Sequence, residues 1–486
     1  MEGILALVGS GNNGGDGLVA LFYLAQQGWN TTAYIVRPRK PDDPLVNRLS
    51  EVGGKIKLVD DQKDYEPLRK LISEHAVLLD GILGTGIKLP LKEEIAEFLE
   101  NVNDWLAQME NPPKVVAVDC PSGVDCESGE AAPQCIPADL TVTMAAVKTG
   151  LLQFPTYNLI GQMWLVDIGL EDESLSLPVW NSVKRNLAYR EMIQAHIPAR
   201  PFDAHKGTFG TAILVAGSLN YTGAALLAGE AAFRVGAGLI TLAVPQPLHA
   251  AISGNFPEST WLLLPYESGV IDEAAVDVLL ENMDRATAIM LGPGFGTKLP
   301  TEKFMQRFLH ANKVVSNDGP SKLPLIIDAD GLKLLTKIEN WPQILPSNSV
   351  LTPHPGEMSV LTGLTVPEIQ ANRLEIAEKY AQEWDKVLVL KGANTVVASP
   401  DGRTTVIPIA TPALARAGTG DVLSGLIVGL LAQGVEPFFA AVCGCWIHAK
   451  AGLIAAENLG TTASVLARDV LAAVIQVMGE LNDGER

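Results

Sequence analysis

Short apolar runs alternate with longer Ala- and Leu-rich segments along most of the chain. Each run is typical of a buried parallel strand, and most runs enter a loop rich in glycine or proline. The longer segments predict helices, and three of them close the chain at 421–433, 436–457 and 464–478. Strands that alternate with helices favour an α/β fold with a parallel sheet. The predicted strands are 4–8, 32–36, 76–80, 115–119, 164–169, 211–216, 239–244, 288–291, 325–328, 350–352 and 387–390.

A polar stretch divides this alternation into two halves. Residues 171–189 contain Ser and Pro without a firm period, which is typical of a linker. A chain of 486 residues is long enough for about two to three domains. We therefore expect two three-layer α/β/α domains, 1–170 and 190–486, on either side of that linker.

The composition narrows the range of functions. Hydrophobic residues make up 47% of the chain, enough for sizeable cores, and the net charge is −19. Such an acidic protein is a poor partner for nucleic acid or for an anionic membrane surface. The apolar region 438–456 contains His448 and Lys450, so we expect a buried helix there and no membrane span. Five cysteines without a disulfide or zinc spacing favour a reducing, cytoplasmic compartment.

Candidate chemistry in the first half lies where predicted strands end. The strand 4–8 enters a loop, 9–17, that holds five glycines, two asparagines and an aspartate before a predicted helix, 18–27. Asp80 and Asp119 end two further strands. Ligands of open α/β sheets bind at the carboxyl ends of strands, where such loops converge. Three such loops in one domain favour a binding site. For each aspartate alone, the alternative is a turn former or a helix cap.

Three motifs at these strand ends are specific enough to compare with known families. They are Asn-Asn-Gly-Gly-Asp at 12–16, Asp80 with Gly-Thr-Gly at 84–86, and Asp-x-Pro-Ser-Gly-x-Asp at 119–125. They resemble the NAD(P)H-hydrate epimerase family, which implies a Rossmann-like domain over about residues 1–170 that interconverts the C6 epimers of hydrated NAD(P)H. The resemblance implies that K⁺ is held by Asn13, Asp80 and Ser122. It also implies that the hydrate is contacted by Asn12, Asn13, Gly14, Gly15, Asp16, Gly84, Thr85, Gly86, Ile87, Lys88, Leu89, Pro90 and Asp119.

The implied roles make chemical sense. Oxygen ligands suit an alkali cation. A carboxylate and an ammonium can move protons, so we expect Asp119 and Lys88 to act as acid and base in the epimerisation. Members of that family carry a helical segment before the first strand, whereas here the strand begins within a few residues of Met1. We therefore expect a first domain that is shortened at its N-terminus.

A glycine turn near the end of the chain carries the strongest chemical signal. Residues 415–425 are typical of a turn that breaks directly into a helix near Asp421. A helix N-terminus exposes unpaired backbone N–H groups, which suits a phosphate. A carboxylate would repel that phosphate, but it is explained if Asp421 takes the proton of a hydroxyl that attacks a phosphoryl group. The alternative is that Asp421 only stabilises the helix start.

Other strand ends of the second half carry polar residues. Lys391 suits a nucleotide phosphate or ribose, with an ordinary solvated lysine as the alternative. His354 lies between two prolines in a rigid turn, which indicates a positioned imidazole. Asp328 and Asp330 are candidates for holding Mg²⁺ together with phosphate oxygens, with helix capping as the alternative.

Five motifs of the second half occur together. They are His-Lys-Gly-x-x-Gly at 205–210, Gly-Pro-Gly-x-Gly at 292–296, Thr-Pro-His-Pro-Gly-Glu at 352–357, Leu-Lys-Gly-x-x-Thr at 390–395 and Gly-Thr-Gly-Asp at 418–421. They resemble the ADP-dependent NAD(P)H-hydrate dehydratases, which are ribokinase-like. The resemblance implies that ADP phosphorylates the C6 hydroxyl of the (S)-hydrate with Mg²⁺ present, and that loss of phosphate restores NAD(P)H and leaves AMP. It implies that the hydrate is contacted by Ala224, Gly294, His354 and Asp421. It implies that the nucleotide is contacted by Lys391, Gly392, Ala393, Asn394, Thr395 and Gly420.

The two resemblances support one another, because one half would interconvert epimers and the other would repair one of them. The predicted partners are the small molecules NAD(P)H-hydrate and ADP, and we expect a homo-oligomer. The alternative is a ribokinase-like kinase of a vitamin precursor with a non-catalytic, nucleotide-binding first domain. The same glycine turn would serve such a kinase, but the His-Pro-Gly-Glu and His-Lys-Gly motifs argue against it.

Overall fold

The computed structural model describes residues 3–58, 65–169, 182–311 and 323–482. The chain forms two compact units, Met1–Trp180 and Asn181–Arg486. Residues 171–181 of the predicted linker 171–189 lie outside the described residues. Part of the remainder, Arg185–Leu187, forms a strand of the second sheet. This strand is short and largely exposed, so it has no apolar period by which the sequence could reveal it.

Seven parallel strands form the sheet of the first unit. They are β1 (Gly3–Val8), β2 (Asn30–Ile35), β3 (Lys55–Leu58), β4 (Val77–Gly81), β5 (Lys114–Val118), β6 (Leu140–Met144) and β7 (Gln162–Val166). They pair in the order β3-β2-β1-β4-β5-β6-β7. The order reverses between β1 and β4, as in Rossmann-like sheets, and such a switch point forms a crevice for ligands.

Helices cover both faces of this sheet. They are α1 (Asn12–Gln26), α2 (Pro44–Glu51), α3 (Glu66–Glu74) and α4 (Glu93–Gln108), and 3₁₀ turns lie at Thr149–Leu152 and Thr156–Asn158. Alternate residues of β1 point to opposite faces. Leu5 and Leu7 are buried with residues of α3 and α4, whereas Ile4, Ala6 and Val8 are buried with residues of α1 and α2. The uninterrupted apolar run of β1 therefore reflects burial on both sides.

The glycine-rich loop of the first unit is shorter than predicted. The sequence predicts a loop over 9–17, but α1 already begins at Asn12. Asparagine and glycine are poor helix formers, which is why the sequence favours a loop. Close packing overrides that preference: a Cβ added to Gly14 would lie 2.2 Å from the carbonyl oxygen of Gly9, so the helix start rests on the end of β1.

The second unit is built around a larger, mixed sheet. Its strands are β8 (Arg185–Leu187), β9 (Thr211–Val215), β10 (Leu239–Pro245), β11 (Thr260–Leu264), β12 (Tyr266–Glu267), β13 (Val270–Ile271), β14 (Ala288–Leu291), β15 (Leu325–Ile327), β16 (Val350–Leu351), β17 (Val387–Leu390), β18 (Val396–Ala398) and β19 (Thr404–Val406). Ten of them pair in the order β11-β10-β9-β14-β15-β16-β17-β18-β19-β8, and β12 and β13 form a separate hairpin. The first seven strands in that order, from β11 through β9 and β14 to β17, are parallel. Strand β18 is antiparallel to both β17 and β19.

The helices of the second unit are numerous. They are α5 (Arg190–Gln194), α6 (Gly223–Arg234), α7 (Gln246–Ile252), α8 (Ala275–Asn282), α9 (Leu299–Leu309), α10 (Asp330–Leu335), α11 (Trp341–Ile344), α12 (Pro355–Thr362), α13 (Val366–Ala371), α14 (Arg373–Trp384), α15 (Thr419–Ala432), α16 (Pro437–Leu459) and α17 (Ala467–Asn482), with 3₁₀ turns at Lys206–Phe209, Ser253–Asn255 and Pro412–Leu414. Residues of α6, α15, α16 and α17 form one large core with the sheet. The predicted α/β/α class is thus confirmed for both units.

Helix α16 is long and apolar enough to span a membrane. However, 83% of its apolar window is buried inside the protein. Its partners include residues of α15 and α17 in the large core. The buried helix that the sequence predicts for this region is therefore confirmed.

Candidate active sites

The first site of interest lies at the switch point of the first sheet. The predicted substrate residues Asn12, Asn13, Gly14, Gly15 and Asp16 form the first turns of α1. A Cβ added to Gly84 would lie 3.1 Å from the Cβ of Asn13, so the loop 84–90 begins against this helix start. The structure thus brings together the two predicted substrate segments, which lie about 70 residues apart in the chain.

A buried polar cluster lies beneath this helix start and consists of Asn13, Asp80, Leu83 and Ser122. The Asp80 carboxylate is fully buried and accepts hydrogen bonds from the backbone N–H of Ser122 at 2.7 Å and from its hydroxyl at 2.5 Å. Asn13 Nδ2 donates to the carbonyl oxygen of Leu83 at 2.6 Å. Burial outweighs these hydrogen bonds and raises the pKa of Asp80.

Two features of this cluster are typical of a site that holds an ion or a water molecule. Asn13 Oδ1 is buried without a hydrogen-bond partner. No Lys, Arg or His side chain within the described ranges forms an ion pair with Asp80. A buried carboxylate without a counter-charge is costly, and an orphaned buried oxygen in a native fold points to an ion or water. The predicted K⁺ ligands Asn13, Asp80 and Ser122 therefore converge on one oxygen-rich site.

Asp119 lies at the same edge of the sheet and has Lys148 as its partner. Its Oδ1 atom accepts hydrogen bonds from the ammonium of Lys148 and, at 3.0 Å, from the backbone N–H of Met144. Lys88 is exposed and forms no hydrogen bond or ion pair with any residue that the structure describes. Burial and the nearby Asp119 raise the pKa of Asp16. The structure thus pairs Asp119 with Lys148, which follows β6 at this edge of the sheet, and the predicted acid–base roles of Asp119 and Lys88 stay a prediction.

The glycine turn of the second unit forms the start of α15. Gly418 caps this helix with φ = 90°, a conformation that residues with a side chain rarely adopt. Asp421 is the third residue of the helix, so the helix begins two residues earlier than predicted. Burial, followed by the charge of Asp328, raises the pKa of Asp421 to about 7, although Lys391 acts in the opposite direction. Asp421 is therefore poised to bind or release a proton near neutral pH.

A lysine with several acidic neighbours lies beside Asp421. Lys391 Nζ is 2.6 Å from Asp328 Oδ1 and 3.7 Å from Glu357 Oε2. Ser424 Oγ donates to Asp328 Oδ2 at 2.5 Å and so ties α15 to the end of β15. Burial alone would raise the pKa of Asp328, but the Lys391 ammonium and the hydrogen bonds from Lys391, Ser424 and Thr352 together hold that pKa below its usual range. Lys391 is therefore a charged residue with only 16% of its side chain exposed, and the alternative of an ordinary solvated lysine is wrong.

The predicted nucleotide residues form one turn beside the start of α15. The backbone N–H of Lys391 donates to the carbonyl oxygen of Pro353 at 2.9 Å, and Thr395 Oγ1 donates to that of Gly392 at 2.8 Å. Asn394 within this turn is buried. A Cβ added to Gly420 would lie 3.8 Å from Lys391 Nζ. The structure thus brings 391–395 and Gly420 together, as a shared phosphate site requires.

His354 acts as the cap of helix α12. Its Nδ1 atom accepts hydrogen bonds from the backbone N–H groups of Gly356 and Glu357 at 3.0 and 3.3 Å. Glu357 Oε2 in turn accepts from the backbone N–H of His354 at 3.0 Å. Burial lowers the pKa of His354. Because Nδ1 accepts, a neutral imidazole carries its proton on Nε2, which lies 3.4 Å from Glu357 Oε1. The positioned imidazole predicted from the two prolines is consistent with this cap.

The remaining predicted hydrate contacts are close neighbours in space. A Cβ added to Gly294 would lie 3.1 Å from the Cβ of Ala224, at the start of α6. Asp328 and Asp330, the candidate Mg²⁺ ligands, both have protein partners. Asp328 bonds Lys391 and Ser424, and Asp330 accepts from the backbone N–H of Gly296 at 2.9 Å and pairs with Lys333 at 2.9 Å. These bonds are not helix caps, and the Mg²⁺ role of the two aspartates stays a prediction.

Known families match both units. The NAD(P)H-hydrate dehydratase family matches residues 212–476, and the family described as YjeF-related protein N-terminus matches residues 1–150. A bifunctional NAD(P)H-hydrate repair enzyme from Moorella thermoacetica is 35% identical over 490 residues, covering 99% of this chain and 88% of the relative. The chain belongs to the bifunctional NAD(P)H-hydrate repair enzyme family. This membership confirms both resemblances and decides against the kinase alternative.

Solved structures resemble the second unit. An ADP/ATP-dependent NAD(P)H-hydrate dehydratase from Bacillus subtilis, co-crystallised with ATP and Mg²⁺, is 31% identical with a TM-score of 0.52, covering 61% of this chain and 99% of that one. A ribokinase-like superfamily protein from Enterococcus faecalis is 23% identical with a TM-score of 0.51, covering 61% and 96%. The predicted ribokinase-like fold of the second half is thus confirmed.

Two features of the sites were not predicted from the sequence. Lys148 carries no glycine motif, and its position depends on β6, a strand whose alternating Leu-Thr-Val-Thr-Met pattern is the only signal for it. The ion pair between Lys391 and Asp328 joins residues 63 positions apart, each of which was interpreted separately. His448 on α16 lies near Lys391 and Thr419 in the second unit. Burial lowers the pKa of His448 to about 4, so its imidazole is neutral at physiological pH.

Proposed function

We propose that residues 190–486 form an ADP-dependent dehydratase of NAD(P)H-hydrate and that residues 1–170, joined to them by the linker 171–189, form an epimerase of the same hydrate. The single observation that carries this proposal is Asp421. It is a carboxylate at a helix start, with a pKa of about 7, beside the Lys391 ammonium. Family membership supplies the substrate class.

In the dehydratase the C6 hydroxyl oxygen attacks the terminal phosphoryl group of ADP, and the bond from that phosphorus to the AMP oxygen breaks. Asp421 takes the hydroxyl proton as the bond forms. Lys391 and the N–H groups at the start of α15 balance the charge on the transferred group. The C6–phosphate bond then breaks and C5 loses a proton, which restores the double bond of NAD(P)H. His354, whose side chain is 54% exposed, is proposed to orient the hydrate between Ala224 and Gly294.

We propose that Mg²⁺ enters this site together with the nucleotide phosphates. The Bacillus subtilis structure was obtained with ATP and Mg²⁺. Oxygen atoms of phosphate are preferred Mg²⁺ ligands. Asp328 and Asp330 are already bonded to protein groups, so Asp421 is the carboxylate best placed to approach a metal–nucleotide complex. Bound there, Mg²⁺ would neutralise phosphate charge.

In the epimerase we propose that the hydrate is bound by residues 12–16, 84–90 and Asp119, and that K⁺ is bound by Asn13, Asp80 and Ser122. The orphaned Asn13 Oδ1 and the buried Asp80 carboxylate support the cation. Bound K⁺ would offset the charge of Asp80 and hold the loop 84–90 against α1. Lys88, exposed on that loop, is proposed as a contact to the anionic part of the hydrate.

The repair function is tested with a mixture of both hydrate epimers and ADP. We expect NADH absorbance to recover for the whole pool, with a fast phase from the (S) form and a second phase from the (R) form. The second phase must exceed the rate of spontaneous epimer exchange. Recovery that stops at the (S) fraction would contradict the epimerase. No recovery, together with ATP-dependent phosphorylation of a vitamin precursor, would overturn the dehydratase as well.

The potassium site has a test of its own. We expect replacement of K⁺ by a bulky organic cation to slow the (R) phase and leave the (S) phase unchanged, because the cluster belongs to the first unit. An Asp80→Asn variant should lose this dependence on K⁺, since the charge that attracts the ion is gone. The measurement is the ratio of the two phases across a K⁺ titration. A K⁺ effect of equal size on both phases would contradict the assignment.

The cellular setting follows from chemistry. All five cysteines are free and buried. We therefore propose that the enzyme works in the reducing cytoplasm. Homo-oligomerisation stays a prediction, which sedimentation of the full chain can test.

A further inference from the structure

A compact acid–base pair lies at the carboxyl ends of β5 and β6. The Lys148 ammonium contacts Asp119 Oδ1, and it also donates to Thr143 Oγ1 and to the carbonyl oxygen of Met144, each at 3.0 Å. Within the described residues, every partner of the Asp119 side chain uses Oδ1. The second oxygen, Oδ2, is therefore left to meet a ligand.

The backbone on both sides of this pair is strained. Asp119 and Ala145 follow adjacent strands, and both have φ = 64°, which is uncommon for residues other than glycine. In each case the flanking residues close a three-residue turn: Cys120 N donates to Val118 O at 2.8 Å, and Ala146 N donates to Met144 O at 2.7 Å. Such γ-turns with positive φ are rare, and strain of this kind clusters at functional sites.

The pair is also shielded to a degree that surface ion pairs are not. The side chains of Lys148 and Asp119 are 20% and 19% exposed. A second lysine–aspartate pair of the same unit, Lys114 with Asp139, is 75% and 43% exposed. The first pair therefore keeps partial access to a ligand while most of the surrounding water is excluded, which is the setting in which proton transfer by side chains is effective.

We propose that Lys148 is the catalytic proton donor to the ring nitrogen N1 of the hydrate, with Asp119 as the base for the C6 hydroxyl. This inference rests on the proposed epimerase function and gives its reaction a route. It assigns to Lys148 the role that the sequence suggested for Lys88. Lys88 lacks a contact to Asp119 among the described residues, whereas Lys148 is already in place.

The reaction is a reversible ring opening that balances without any further reagent. Asp119 takes the proton of the C6 hydroxyl, and the C6–O bond becomes a carbonyl. The electron pair of the C6–N1 bond moves to N1, which takes a proton from Lys148. The open form carries an aldehyde at C6, and rotation about C5–C6 turns its other face towards N1. N1 then attacks C6 while Lys148 takes back the N1 proton and protonated Asp119 returns its proton to oxygen.

The experiment uses the full chain and the two phases of NADH recovery from mixed epimers. We expect Lys148→Met to reduce the enzymatic (R) phase about 10²–10⁴-fold, the usual contribution of a positioned acid or base. Lys148→Arg should lose a similar factor, because a guanidinium keeps the ion pair but holds its protons too tightly to donate them. Small primary amines should restore part of the rate of the Met variant. The (S) phase should stay unchanged in both variants.

Each outcome is decisive for the assignment. The matched control is Lys114→Met, which removes the exposed pair and should leave both phases as in the wild type. A wild-type (R) phase in Lys148→Arg would show that the residue only holds Asp119 in position and would overturn the proposal. An undiminished (R) phase in Lys148→Met would do the same. If Lys148→Met does not fold, Lys148→Arg alone decides.

The route and the underlying function are tested separately. If the wild-type enzyme gives no (R) phase above the spontaneous rate, the epimerase function itself fails, whatever the variants do. If the wild type is active, single-turnover epimerisation in H₂¹⁸O tests the bond that breaks. Ring opening retains the C6 oxygen, so we expect the product to lack the label. One labelled oxygen for each epimerised molecule would mean that C6–O breaks, and would overturn the assignment of N1 as the proton acceptor.

Discussion

An Asp421→Asn variant is expected to lose about 10²–10⁴-fold of its dehydratase rate while the rest of the protein stays intact. The amide has nearly the same shape as the carboxylate but cannot take the C6 hydroxyl proton. The loss should appear in kcat more than in KM, because the proton moves only as the phosphoryl group is attacked. The measurement is NADH recovery from pure (S)-hydrate with ADP.

The pH dependence of the wild-type enzyme follows from the same residue. Asp421 works as a base only when it is deprotonated, and its pKa is about 7. We therefore expect kcat/KM for the hydrate to rise with pH through about 7 and to level off above it, since kcat/KM reports the free enzyme. The residual activity of Asp421→Asn should lack this inflection.

The same substitution should stabilise the second unit. Folding raises the pKa of Asp421 from 3.8 to about 7, so the folded state binds this proton more tightly than the unfolded chain. Stability is therefore lost as pH rises from about 4 through 7. Three pKa units correspond to at most about 4 kcal/mol, and removing the charge should recover part of it at neutral pH. A variant that is less active but harder to unfold cannot owe its loss to misfolding.

The control is Asp385→Asn, which changes an exposed aspartate of the same unit. It should retain both the rate and the pH profile. An Asp421→Asn enzyme with ordinary turnover would contradict the role of Asp421 and restore the interpretation that it only stabilises a helix start. A pH profile of Asp421→Asn that keeps the inflection near 7 would assign that inflection to another group.

The parts of the fold that the sequence could predict are those in which burial alone determines the pattern. The strands 4–8, 288–291 and 387–390 are continuous apolar runs, because both faces of a parallel sheet are covered, and they are observed within one residue of prediction. Short strands without a continuous apolar run escaped prediction. Arg185–Leu187 and Thr404–Val406 have three residues each, too few to show a period.

The site residues also differ in whether a local sequence pattern reveals them. Residues inside glycine motifs, such as Asp421 and His354, are visible in the sequence because the backbone itself requires unusual neighbours there. Lys148 is not, since its role depends on a register between two strands and not on a local motif. The helix start at Asn12 is a further case: local propensity opposes it, and only packing against Gly9 reveals it.

Replacing Lys391 by Met is expected to destabilise the second unit strongly. Lys391 is the counter-charge of Asp328, whose carboxylate is 1% exposed. Removing one partner of a buried ion pair leaves an uncompensated charge and typically costs about 3–5 kcal/mol. The activity should also fall, because Lys391 lowers the pKa of Asp421 and its loss leaves less of that base deprotonated at pH 7. The measurements are urea unfolding of the full chain, followed by dehydratase activity, and the kcat/KM profile.

Two further variants separate charge from packing in this result. Lys333→Met removes a pair that is more exposed, with 44% of the lysine and 18% of the Asp330 side chain in solvent, and should cost at most about 1 kcal/mol. Lys391→Met combined with Asp328→Asn removes both buried charges, so it should recover much of the stability while activity stays low. Recovery of both would mean that Lys391 serves the fold alone. A single Lys391→Met variant as stable as the wild type would mean that Asp328 is neutral in the folded protein, which its short contact to the ammonium argues against.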